Sequence, residues 1–89
     1  MIAALPGAEL IAQGLRDLAA GRVTVESLLV SIAAPRLRAL GMDVRAPFAD
    51  PELSLYRLLA EQHGSGAHAR YNSLIRRVVS YQRALACAN

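Results

Sequence analysis

The chain has 89 residues and a mass of 9.5 kDa; it holds 14 Leu and 17 Ala but only 4% aromatic residues and no Trp. Val, Ile and Thr together number 11, so the residues that fill strands are scarce, which excludes a β-sandwich, a barrel or a doubly wound sheet, and a hydrophobic fraction of 54% excludes a disordered chain. The formal charge of +3 is concentrated at one end: residues 63–89 carry Arg70, Arg76, Arg77 and Arg83 with no Asp or Glu.

In chain order, the first helix is expected from about Ala8 to Ala20, after Pro6-Gly7 and before Gly21. Ile11, Leu15, Leu18 and Ala19 recur on one face of it. The second opens on Thr24 as N-cap with Glu26 in its first turn, and Val25, Leu28, Leu29 and Ile32 form its expected buried stripe. Pro35 is expected to end or kink that helix near Ala33–Ala34, leaving a short helical piece from Pro35 to Leu40 before Gly41. Residues 42–50 read as a loop from which Phe48 plugs the core. The third helix starts with Asp50 as N-cap, Pro51 at the first position and Glu52 in the first turn, and it ends at Gly64. Leu55, Leu58 and Leu59 line its apolar face, with Leu53 and Tyr56 beside them.

The fourth helix starts around residues 65–67 and runs to about Ala86. Tyr71, Leu74, Val78, Tyr81 and Leu85 alternate three and four apart as a seam, widened by Ile75 and Val79. The pieces assemble as a single all-α domain over residues 1–89, a small antiparallel four-helix bundle with an additional short segment after the proline. An apolar arc this broad on so short a chain points to a homodimer, with Tyr71, Leu74, Val78, Tyr81 and Leu85 as the candidate interface.

Few constellations carry chemistry. His63, His68 and Cys87 are too few and too scattered for a zinc site, so no metal and no cofactor is expected. The single cysteine makes no internal disulfide, and the start of the chain, Met1 to Pro6, lacks the basic and apolar regions of a signal peptide. The longest apolar runs stop well short of a membrane span, and the expected compartment is the cytoplasm. Gly64-Ser65-Gly66 precedes a helix but lacks the strand and the Lys-Ser/Thr of a phosphate loop. The serines form no nucleophile elbow, and no carboxylate pair shares a helix face. The second helix offers no Arg, Lys, Asn or Gln before Pro35 to read a base edge, which counts against a helix-turn-helix.

Two patterns remain. Arg57 and His63 are separated by five residues. That spacing resembles the Arg and His of the helical HEPN ribonucleases, a family in which the pair meets across a dimer and cleaves RNA. A polar residue commonly follows the Arg there, whereas Leu58 follows it here. The second pattern is the basic fourth helix: Arg70 and Arg77 fall on one border of its apolar arc, and Arg76 and Arg83 fall beyond the other. Such a helix suits an acidic protein partner, a nucleic-acid backbone or an anionic surface. All ten basic residues are Arg, the signature of a GC-rich, bacterial kind of genome. The expectation from sequence is therefore a non-catalytic binding or regulatory module acting through protein contacts as a homodimer. The alternatives are nucleic-acid association through Arg70, Arg76, Arg77 and Arg83, or a degenerate HEPN-like ribonuclease using Arg57 and His63.

Overall fold

A computed structural model describes residues 5–88; Met1–Ala4, most of the stretch weighed above as a leader, and Asn89 lie outside the described residues. The described chain is all-helical, with α1 over Ala8–Ala19, α2 over Val25–Ala39, α3 over Pro51–His63 and α4 over Ala67–Ala88. A 3-10 turn, Gly64–Gly66, joins the last two. At 22 residues α4 is about 33 Å long, close to the longest dimension of the molecule, 38 Å.

The boundaries follow the punctuation of the sequence. Past α1, the Arg22 N–H donates to the Asp17 carbonyl at 2.8 Å and the Gly21 N–H to the Leu18 carbonyl at 3.0 Å, the paired bonds of a Schellman ending. The Thr24 hydroxyl then accepts from the Ser27 N–H at 3.1 Å while the Ser27 hydroxyl accepts from the Thr24 N–H at 2.8 Å, a reciprocal capping box. Two orphan donors at the start of α2 are thereby satisfied.

α2 is the hub, packed against α1, α3 and α4. It is buried at five consecutive positions, Ser27 to Ser31, and again at Ala33, Ala34 and Leu37. A helix enclosed by three neighbours has no single buried stripe, so the stripe expected from periodicity is corrected: Leu28 and Leu29 are buried, but Val25 and Ile32 are only half-buried. The two enclosed serines are tolerated because their hydroxyls are spoken for. Ser27 Oγ donates to the Arg22 carbonyl at 2.8 Å, and Ser31 Oγ donates to the Ser27 carbonyl at 2.8 Å. Ser31 Oγ also accepts from the Phe48 N–H at 3.1 Å, tying the long loop to α2.

Pro35 does not divide α2. The helix runs from Val25 to Ala39 with Pro35 inside it, so the separate short segment expected after the proline is a continuation. Pro35 removes one donor and crowds the carbonyl four residues before it, yet its ring faces solvent while its neighbours hold their places. Leu37 is completely buried, and Arg38 Nε donates to the Val44 carbonyl at 2.8 Å. The helix closes on a second Schellman ending, in which Gly41 adopts φ 94°, a conformation costly for any residue with a Cβ. That turn delivers Met42 back toward the core.

Three other expectations are refined. Phe48 is half-buried, and Val44, at 2% exposure, is the loop residue that enters the core. Asp50 holds the N-cap position of α3 but in the left-handed region, φ 47°, and its side chain makes no capping bond. In α3, Leu55 and Leu59 are buried, Leu58 is half-buried, and Leu53 and Tyr56 stand in solvent at 53% and 41% exposure.

Candidate functional site

α1 shows why one side of the molecule is closed and the other is not. Its inner face, Leu10, Ile11, Gly14, Asp17 and Leu18, is buried. Gly14 sits so near α2 that a Cβ there would overlap the Glu26 carbonyl oxygen and the Val30 side chain. Asp17, 4% exposed, accepts from the Thr24 hydroxyl at 2.7 Å, the Gln13 amide at 2.9 Å and Arg22 Nη2 at 3.1 Å. The Thr24 hydroxyl first, then Gln13 and Arg22, hold its carboxyl below the usual aspartate range, against burial, which acts to raise it. Nothing in this cluster is left to bind a ligand; it locks the α1–α2 turn.

The outer face of α1 is also apolar. Ala8, Ala12, Leu15 and Ala19 follow one another at spacings of four, three and four, about 130° around the helix from the inner face; Ala8 is buried, Ala12 and Leu15 are half-buried, and Ala19 is exposed. Of the face expected from periodicity, Ile11 and Leu18 are buried, Leu15 is half-buried against the core and Ala19 is exposed. Only the edge bearing Glu9, Gln13 and Arg16 is polar. Since α1 meets α4 far less than it meets α2, the outer face borders an open groove of about 400 Å³, lined by α1 from Ala8 to Leu15 and by Met42 and Tyr81. The Tyr81 hydroxyl donates to Met42 Sδ at 3.6 Å along its base. Burial raises the Tyr81 pKa, and Glu9 is the charged side chain at the groove's edge.

Of the five expected interface residues, Leu74, Val78, Tyr81 and Leu85 lie in the core of the single chain at 1–3% exposure, and Tyr71 is half-buried. The seam they form is therefore covered by the chain's own helices. Tyr71 instead belongs to a surface cluster with Tyr56, 5.9 Å away between ring centroids, and Tyr56 lies 6.5 Å from His68. His68 Nε2 is within 3.2 Å of the Asn72 amide. Burial, and next the charge of Glu52, raise the Tyr71 pKa.

The four arginines of α4 are all exposed, and none makes an ion pair among the described residues, where the pairs formed are Arg22–Asp17 and Arg45–Asp43. With the apolar arc turned inward, the two rows seen in sequence become the walls of a solvent face whose floor is Ala69, Ser73, Ser80 and Ala84. Arg76 and Arg77 meet Ser73, Ser80 and the start of α1 around a depression of about 310 Å³. Arg83 stands with Arg36 beside another, and Arg70 shares a third with His63, Gln62 and Glu26.

Arg57 and His63 are not brought together. Both are exposed, and six positions apart they point about 120° away from each other around α3. Among the described residues no three His, Cys, Asp or Glu side chains gather as a metal site, and no helix is long and apolar enough to cross a membrane. Cys87 is exposed. Sequence reasoning missed the outer face of α1, although the run Leu5, Ala8, Ala12, Leu15, Ala19 carries a heptad-like spacing. No family model, curated protein or solved structure matches the chain.

Proposed function

We propose that this chain is a non-catalytic helical module that acts through protein–protein contacts and pairs with a second copy of itself across the outer face of α1. The frame is an antiparallel four-helix bundle, for which the short turns at 20–24 and 64–66 are the support. One observation carries the reading: α1 is apolar on two faces, and the outer one is covered only in part by the rest of the chain, with Ala12 and Leu15 half-buried and Ala19 exposed. A helix apolar around most of its circumference is ordinarily enclosed.

The occupant follows from charge. Glu9 and Arg16 lie on the polar edge of α1, seven residues apart. In a two-fold pairing with the helices antiparallel and the axis near Ala12, Glu9 of each copy faces Arg16 of the other; a parallel pairing sets like charges together. Such an interface is isologous, the same patch used on both sides. The small side chains of Ala12 and Ala19 allow close approach, and Leu15 of one copy seats in the groove over Met42 of the other, a flexible side chain suited to the purpose. A standard interface takes about 800 Å² from each partner, a modest part of the 5375 Å² that the chain exposes.

Light scattering on a sizing column tests this. At about 100 µM, a dimer with Kd below ~10 µM is mostly assembled and elutes at twice the 9.5 kDa chain mass. Leu15→Glu, at a half-buried position, returns the mass to that of one chain without loss of helicity. A wild-type chain that stays at 9.5 kDa contradicts the proposal.

A further inference from the structure

We infer that the solvent face of α4 is a seat for a nucleic-acid phosphodiester backbone, held without regard to base sequence between two rows of arginine. The inference is independent of self-association, which uses α1. It rests on three observations together. Arg70 with Arg77, and Arg76 with Arg83, form rows in which the side chains repeat every seven residues, about 10.5 Å along the axis. Between them the floor is made of small residues, and two of these, Ser73 and Ser80, line the same depression as Arg76 and Arg77. All four guanidinium groups are exposed, and none makes an ion pair among the described residues.

The chemistry selects a phosphate chain. Guanidinium forks bind phosphate oxygens bidentately and never lose their charge, and the serine hydroxyls between the rows add donors at the floor. The face carries no aromatic ring on which bases would stack, since Tyr71 lies toward the apolar side of α4 and Tyr81 is 1% exposed; contact is to the backbone, which positions a strand without reading it. The arginines are not equal. Glu26 shares the depression of Arg70 and opposes an anion there, and Glu9 stands in the first turn of α1, whose start borders the Arg76–Arg77 depression. Arg83, which stands with Arg36 and no carboxylate in its depression, therefore contributes most, and Arg70 least.

The probe is a fluorescein-labelled oligothymidylate of about 15 nucleotides, followed by fluorescence anisotropy over a range of salt. Three to four phosphate contacts on a single strand predict a slope of log affinity against log salt of about −2 to −3, a loss of about 20- to 50-fold between 50 and 200 mM salt. Arg76→Gln with Arg83→Gln removes two contacts and cuts that loss to below about tenfold. Gln keeps the exposed helix intact, which circular dichroism verifies. Arg57→Gln, the same charge removed from α3, leaves the slope of wild type. No binding at 50 mM salt overturns the inference, as does a slope unchanged in the Arg76, Arg83 pair or reduced equally by Arg57→Gln. Tighter binding of a polyglutamate of similar charge overturns it too, and makes the face a seat for an acidic protein.

Discussion

α1 takes part in two contacts that differ in nearly every respect. Toward α2 the backbones close on each other at Gly14, and the turn between them is fixed by Asp17, Thr24 and Ser27 through directional bonds. Toward α4 the same helix leaves a groove lined by Met42 and Tyr81, which are joined to each other by one weak hydroxyl–thioether bond. Both sides use small residues, glycine inside and alanine outside. The difference teaches that small side chains on a helix mark a place for close approach, and whether the approaching partner belongs to the same chain is decided elsewhere. Inside, α2 fills the space; outside, Met42 and Tyr81 cover the face only in part, leaving Ala12 and Leu15 half-buried and Ala19 exposed.

The comparison is broken most forcefully at Gly14. Gly14→Ala places a Cβ against backbone that cannot move aside, and overpacking of this kind costs about 1–3 kcal/mol. We place it at the top of that range, read as a fall in the urea midpoint with circular dichroism as the probe. Thr24→Ala removes the cap of α2 together with the leading bond to Asp17, and the cap alone is worth about 1 kcal/mol. The same measurement resolves it, and Thr24→Ser restores most of the loss.

Acid sharpens the same inner contact. Because the Asp17 carboxyl is held below its ordinary value in the folded chain, the unfolded chain binds the proton first as pH falls. The stability from that cluster is therefore complete above about pH 4 and is lost as pH drops through the lowered folded value. Tyr81 acts with the opposite sign: its folded pKa is raised, so stability present below about pH 10 declines as pH climbs past it. Denaturation midpoints taken across both ranges in wild type and in Asp17→Asn separate the acid limb from the rest. The smallest effect is expected outside. Leu15→Glu, at a half-buried position beside the groove, lowers stability by about 0.5–1 kcal/mol under conditions where the chain is monomeric.

Helix ends were legible in the sequence because they are local. Gly21, Gly41 and Gly64, Thr24, and Asp50 followed by Pro51 each mark a boundary that the structure keeps within a residue or two. The all-helical class followed from composition for the same reason. What lay hidden depends on neighbours distant in the chain. Pro35 reads as a stop, but Leu37 and Arg38 find their partners only in the folded molecule. Ser27 and Ser31 look polar and are buried, because their hydroxyls turn to backbone groups nearby. Leu15 and Ala19 share the periodicity of a core face, yet Leu15 borders the groove and Ala19 is exposed, since α1 carries two apolar stripes and periodicity does not say which meets α2. The arginine rows of α4 were visible as a pattern; their serine and alanine floor became a surface once the apolar arc was turned inward.

The claim that a second copy covers the outer face of α1 is tested most directly by a cysteine placed at its expected axis. In a Cys87→Ser background, Ala12→Cys brings two thiols together across an antiparallel α1 pair, within the short reach that a disulfide demands. Mild oxidation is expected to yield a covalent dimer of twice the 9.5 kDa chain mass, and Ala20→Cys, exposed at the end of α1 and turned away from its outer apolar face, is expected to yield none. No cross-linked species from Ala12→Cys, or equal amounts from both positions, contradicts it.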